Sequence, residues 1–262
     1  MKTTIALIAL ALTPLASEIA NAQTETRKTP TSHFGIGLNG SNDHTIYSAR
    51  KGDNIAGIHL QYRGERFNLT QETLTYRFLN RNKFHIEALA KSEARGFEAK
   101  NDALLSGMGD RDESLDLGLR AGYQTPYGLI SLDATKDIST THKGHEADLR
   151  IGPDFYSESP LKIGNSRFGL GLVAGVKWQS DDVVDYYYGV KDNEATADRA
   201  MYKGSAAVTP YIGLDGKVNI TKKITLTGSA IYMDRPNEIT DSPLVDKDHD
   251  LSLNAGFTYW FK

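Results

Sequence analysis

A chain of 262 residues is long enough for one or two domains, and its formal net charge of −3 sets 30 Lys and Arg against 33 Asp and Glu. The basic residues are scattered without a stripe or patch, so no nucleic-acid partner is expected. There is no cysteine, which removes disulfide staples, thiolate metal sites and cysteine nucleophiles.

The first segment reads as an export signal. Met1 and Lys2 give a positive start, Ile5 to Leu15 is apolar, and Ala20-Asn21-Ala22 has the small residues that signal peptidase requires. A signal peptide over residues 1–22, cut between Ala22 and Gln23, is expected. The apolar run is too short for a membrane helix, which takes about 20 residues. A polar tail follows over residues 23–32.

From residue 33 onward, period-two alternation recurs to the end of the chain. Phe34, Ile36 and Leu38 alternate with glycine, and Ile58, Leu60 and Tyr62 with His59, Gln61 and Arg63. Leu115 to Tyr123, Phe168 to Trp178 and Leu251 to Phe261 repeat the pattern. Such alternation makes strands with one apolar and one polar face. Many of these strands run to about nine to twelve residues, long for a soluble sheet but suited to a tilted crossing of a bilayer. The mean hydropathy of −0.42 agrees, since alternating strands average out.

The connections fall into two classes. Residues 40–54, 92–112, 180–204 and 234–249 are long and polar, whereas 80–82, 125–127 and 217–222 are short. Outer-membrane barrels put long loops outside the cell and short turns in the periplasm, which demands an even strand count. Arg66 to Leu79 is too long for one strand and carries Gln71-Glu72 in its middle. Splitting it predicts twelve strands: 33–39, 55–63, 66–70, 73–79, 83–91, 113–124, 128–137, 144–154, 166–179, 205–216, 223–233 and 250–261. Ten strands remain if that hairpin lies outside the wall. No domain boundary interrupts the barrel over residues 33–262.

The polar faces collect Arg63, Arg77, Arg120, Arg150 and Lys177 against Glu87, Asp116, Asp133, Asp148 and Asp215. Balanced charge suits a narrow lumen crossed by ion pairs; the competing reading is the solvated face of a soluble sandwich. Tyr62, Phe78, Phe84, Tyr123, Tyr127, Trp178, Tyr232, Tyr259 and Trp260 stand near strand ends, as an interfacial girdle requires.

Two stretches carry a family resemblance. One is Asp185-Tyr186-Tyr187-Tyr188-Gly189-Val190, followed by Asn193-Glu194-Ala195, Tyr202, Pro210, Tyr211 and Asp241-Ser242-Pro243-Leu244-Val245. The other is Gly107-Met108-Gly109-Asp110-Arg111-Asp112-Glu113, with Leu117-Gly118, Ala121-Gly122, Asp133 and Lys143-Gly144. Together these resemble the MipA/OmpV family of outer-membrane proteins. The resemblance implies a Gram-negative outer membrane, with lipid and lipopolysaccharide as surroundings. One branch, the MltA-interacting proteins, implies a scaffold that bridges a lytic transglycosylase and a penicillin-binding protein in murein synthesis and turnover. The OmpV branch implies a role in permeability or host contact, so a small-solute channel or a surface adhesin is the alternative. Barrels of this kind usually end on an aromatic, whereas here Lys262 follows Phe261.

Little in the sequence points to chemistry. His142-Lys143-Gly144-His145-Glu146 lacks the His-Glu-x-x-His spacing of a zinc protease and reads as a polar loop. No Gly-x-Ser-x-Gly elbow occurs. The acidic residues Asp110, Asp112, Glu113, Asp181, Asp182 and Asp185 have no calcium-loop spacing. No enzyme activity, cofactor or resident metal is expected. Tyr186-Tyr187-Tyr188 is the candidate docking loop, either exposed to a partner or folded into the barrel mouth.

Overall fold

The computed structural model describes residues 32–43, 53–93, 95–101, 103–153, 161–163 and 166–261. The expected signal peptide, its cleavage site at Ala22 and Gln23, and nearly all of the polar tail lie outside the described residues.

Thirteen strands follow in chain order: β1 (His33–Asp43), β2 (Asp53–Arg63), β3 (Phe67–Leu69), β4 (Thr73–Arg81), β5 (Phe84–Glu93), β6 (Ser114–Thr125), β7 (Gly128–Asp137), β8 (His145–Gly152), β9 (Leu161–Ile163), β10 (Ser166–Gln179), β11 (Ala207–Asn219), β12 (Ile224–Asp234) and β13 (His249–Phe261). All join one antiparallel sheet, and β1 pairs with β13 from Phe34↔Phe261 to Asp43↔Ser252, which closes it. β8 and β9 pair with the two halves of one edge of β10 and so share one place in the wall. The result is a closed antiparallel β-barrel of twelve wall positions. The split of residues 66–79 into β3 and β4 supplies the even count, and the hairpin belongs to the wall.

The closure answers a physical demand. Hydrocarbon offers no hydrogen bonds to amides, so a sheet that crosses it must leave no edge. One stretch departs from this. β2 meets β3 at only two pairs, Tyr62↔Leu69 and Arg63↔Asn68. On that side, among the described residues, Asp53 to Gln61 has no neighbouring strand. The tip of the β3–β4 hairpin, tied by Thr70 Oγ1 to the Thr73 amide at 3.0 Å, stops short of it.

Apolar side chains point outward all around the wall. Leu38, Ile58, Leu119, Leu172, Ile212 and Phe257 are exposed, Leu172 by 72%. Among the described residues no helix is long and apolar enough to cross a membrane. Tyr127, Phe78, Trp178 and Tyr232 stand exposed near the strand ends, as a girdle requires. Trp260 does not. It is 6% exposed, points inward, donates from Nε1 to Thr225 Oγ1 at 2.9 Å and lies under Arg63. Strand parity overrides aromatic type there, since Trp260 follows Ser252, Asn254, Gly256 and Thr258 on the inner face.

The middle of the interior is narrow and crowded. Gly175 shows why small residues face it: a Cβ there would stand 2.4 Å from the Tyr211 ring, which crosses to Asp148.

A charge on the lipid face should therefore cost far more than one inside. Leu172→Arg, at an outward position midway along β10, is expected to destabilise the barrel by about 2–4 kcal/mol. Urea unfolding from lipid vesicles measures it; a cost near zero would place Leu172 in water.

Candidate functional site

The inner wall is laced by ion pairs, some between neighbouring strands and one, Arg150–Asp215, reaching across β10. Arg77 meets Glu87 at 2.6 Å, Arg120 meets Asp133 through two bonds of 2.7 Å, and Arg150 pairs with Asp215. Tyr211 donates to Asp148 at 2.8 Å. Higher up, Glu93 gathers Lys91, Arg95 at 3.0 Å and Lys177 at 3.9 Å, and Arg95 continues to Glu146 at 2.6 Å. A buried charge is costly unless paired, so the carboxylates here need cations beside them, and for Glu87 and Asp133 register supplies one directly opposite. The register is direct: Glu87 faces Arg120 across β5–β6 and Arg77 across β4–β5.

Over this lumen sits a folded cap of three long loops. The second of them carries α1 (Asp181–Tyr188), and the third carries the short α2 (Asn237–Thr240). The cap has its own apolar core, with Phe97, Leu105 and Met108 against Val183, Val184, Tyr187, Val190, Ile239 and Leu244. Buried charge fastens it. Arg111 bonds Glu194 at 2.9 Å, both side chains being 3% exposed, and also reaches the carbonyls of Gly109 and Gly189. Arg199 donates to the carbonyls of Leu104, Ser106 and Glu194. Ser242 Oγ donates to the Tyr188 carbonyl at 2.6 Å. Burial works to raise the Glu194 carboxyl pKa, but Arg111 and the amides of Gly109 and Lys191 outweigh it and hold the group at about 2.

His142 is buried, unlike the residues of a solvated loop, and lies near Asp116 and Asp137. Its Nδ1 accepts the Gly144 amide at 3.0 Å, so the proton of the neutral ring is on Nε2. That N–H faces Ser114 Oγ at 3.2 Å and Asp116 at 3.6 Å. Asp137 meanwhile accepts the His142, Lys143 and Ser139 amides and folds the loop. With an N–H instead of a lone pair turned to the carboxylates, the cluster builds a loop and does not offer a metal nitrogen ligand. His145 is exposed and Glu146 points to Arg95, so the three polar residues of this segment do not converge.

The structure places Arg63, Arg77, Glu87, Asp116, Arg120, Asp133, Asp148, Arg150, Lys177 and Asp215 on the inner face, by register with one another. Asp116 faces His142 at 3.6 Å, and Arg63 lies 4.2 Å over the Trp260 ring. Of the candidate docking residues, Tyr187 and Tyr188 are buried in the cap and Tyr186 is half-buried, its hydroxyl accepting the Asp112 amide at 2.8 Å. They hold the cap together and leave little surface for a partner. Arg95, Arg111, Glu194 and Arg199 are the residues that sequence reasoning misses. The helical spacing of Val183, Val184, Tyr187 and Tyr188 is the signal that could have found α1.

A family model described as MltA-interacting protein MipA matches residues 36–261. The putative outer membrane protein YiaT of Escherichia coli is 25% identical over 233 residues, 88% of this chain and 92% of that protein. Outer membrane protein OmpV of Vibrio cholerae is 28% identical over 206 residues, 78% and 77% of the two chains. The MltA-interacting protein of Escherichia coli is 29% identical over 168 residues, 63% and 64% of the two. Among solved structures, Pseudomonas putida OprB overlays with a TM-score of 0.38 at 8% identity, over 81% of this chain and 61% of that one. That overlay is loose, and the barrel rests on its strand register instead.

The cap makes a pH prediction. A carboxyl held at about 2, below its usual value of 4.5, contributes stability that is complete above that value and is lost as pH falls toward 2. Protease nicking of residues 180–206 should rise below about pH 4.5 while the barrel stays folded. Arg111→Ala, which leaves Glu194 buried and unpaired, should give the same nicking at neutral pH, at a cost of about 3–5 kcal/mol. Equal nicking of both proteins at neutral pH would remove the pair from its fastening role.

Proposed function

Because the chain belongs to the MltA-interacting protein MipA family and is an outer-membrane β-barrel, we propose that it is a non-enzymatic scaffold for murein-remodelling enzymes. On this reading it holds a lytic transglycosylase and a penicillin-binding protein against the inner side of the outer membrane. The observation that carries the reading is the cap. A barrel whose mouth is filled by a packed, ion-paired core is built to hold shape, not to pass solute.

Murein lies on the periplasmic side, so the partners meet the end with short turns. That end is the opposite one from Tyr186, Tyr187 and Tyr188. It presents exposed cations at Arg66, Arg81, Lys83, Lys222 and Lys223, together with Tyr127, which is 91% exposed. A ring of cations around an aromatic suits a partner with an acidic face. The small-solute channel keeps one observation in its favour, a cavity in the lower lumen.

Pull-down from solubilised envelopes tests the scaffold. A murein hydrolase or synthase should co-purify and should be lost when Arg81, Lys83, Lys222 and Lys223 are replaced by Glu. Absence of any such enzyme among the specific partners would sink the idea. In planar bilayers the pure protein should show no stepwise conductance; large reproducible steps would favour the channel.

A further inference from the structure

We propose that the open edge of β2, residues 53–61, is a docking site within the bilayer for an extended, amphipathic peptide strand of a partner protein. This does not rest on the scaffold reading. β2 pairs with β1 along its whole length, from His33↔Arg63 to Asp43↔Asp53, but with β3 only at Tyr62 and Arg63. The Gly64 amide donates to the Phe67 carbonyl at 2.9 Å, and this fixes the alternation above it. The backbone of each even-numbered residue of β2 turns away from β1. Among the described residues, the amides and carbonyls of Ala56, Ile58 and Leu60 therefore have no strand to bond on that side. All but two of the 11 residues of β2 lie above the pairs with β3, about the length of a tilted crossing.

The side chains place this edge in hydrocarbon. Ile58 is 75% exposed, against 53% for Leu119 and 56% for Ile212, which point outward from strands flanked on both sides. His59, on the other face, is buried and meets Thr258 Oγ1 at 3.2 Å. Unpaired amides at this depth are costly, and an acyl chain offers them no hydrogen bond. A strand does, by continuing in the direction of β3 the ladder that Tyr62↔Leu69 begins. Its side chains must be apolar beside Ile58 and Leu60 and polar beside His59 and Gln61, an alternation of period two.

The two segments of this chain that start beside β2 do not supply that strand. Residues 23–32 join β1 at the foot of the wall, but from Gln23 to Ser32 they carry no apolar face. Residues 44–52 must return to Asp53 at the top of the same edge, and are too few to run down it and back. A second copy fails for a different reason. Two copies in one membrane share an orientation, so a two-fold axis along the bilayer normal relates their β2 strands. Their equal tilts then cross, and no continuous ladder forms. The occupant is a separate envelope protein with a free segment of alternating apolar and polar residues, added to the sheet edge through its backbone.

The chain has no cysteine, so Leu60→Cys puts a single thiol beside the open edge and Ile212→Cys puts one on a closed part of the wall. The probe is a synthetic peptide of alternating leucine and threonine, as long as the open edge, with a cysteine at its centre. It is added with a short bismaleimide to each protein in lipid vesicles. Leu60→Cys should capture it about tenfold more than Ile212→Cys, since only the open edge offers several hydrogen bonds. The same peptide N-methylated at its leucines, whose amides face β2, keeps its apolar face but cannot pair. Its capture at Leu60→Cys should fall to the Ile212→Cys level. Ile58→Pro removes an amide from the open edge only, and should lower capture severalfold while heat-modifiable migration in SDS is kept. Where that variant does not fold, the methylated peptide decides alone. Capture that is equal at both sites, or undiminished by methylation, means an apolar groove only and overturns the proposal. Crosslinking of Leu60→Cys to a second Leu60→Cys chain without peptide seats a second copy on the edge, and overturns it too.

Discussion

Hydrocarbon cannot hydrogen-bond an amide, and the rest of this structure follows from that. A sheet crossing the bilayer must pair its first strand with its last, which β1 and β13 do over ten residue pairs. Once the ring is closed, the period of two decides every side chain's surroundings. Apolar residues go to lipid, and everything polar must be accommodated in a lumen of limited width. The carboxylates and cations inside are therefore neighbours by register, as with Arg120 and Asp133, and each is the other's compensation for leaving water.

The same requirement shapes the outer end. The long loops carry enough apolar residues to fold on themselves, and the charges they bury are paired, with Arg111 on Glu194 as the clearest instance. The cap and the upper lumen are joined, because Arg95 contacts Glu93 and Glu146 below and the Tyr187 ring above. The short-turn end is different in kind. It presents exposed cations at Arg66, Arg81, Lys83, Lys222 and Lys223 and borders the cavity of the lower lumen. The barrel is thus capped at the end facing the medium and, among the described residues, uncapped at the end facing the periplasm.

Much of the wall is legible in the sequence, because alternation and parity act residue by residue. Even the hairpin at β3 and β4 is signalled by Gln71-Glu72, although nothing local shows that β3 is only three residues long. Trp260 is instructive: alternation puts it inside, and its aromatic type suggests the interface, where it does not lie. The cap is another matter. Its contacts join residues far apart, such as Gly109 and Glu194, within segments rich in Asp, Asn, Gly and Ser that read as solvated loops. Only α1 has a period of its own. The resemblance to a known family was readable from the very segments, 107–113 and 185–190, that the cap uses for packing. In this chain Tyr187 and Tyr188 are spent on that packing.

The sealed outer mouth is the central claim, and the lack of cysteine makes it directly measurable. A single cysteine at Thr227, which lines the lower lumen, can be challenged with a membrane-impermeant thiol reagent. Added outside intact cells, the reagent should leave Thr227→Cys unlabelled, whereas added to spheroplasts or inverted outer-membrane vesicles it should label it readily. Labelling at the same rate from both sides would mean an open passage through the cap and would contradict the account.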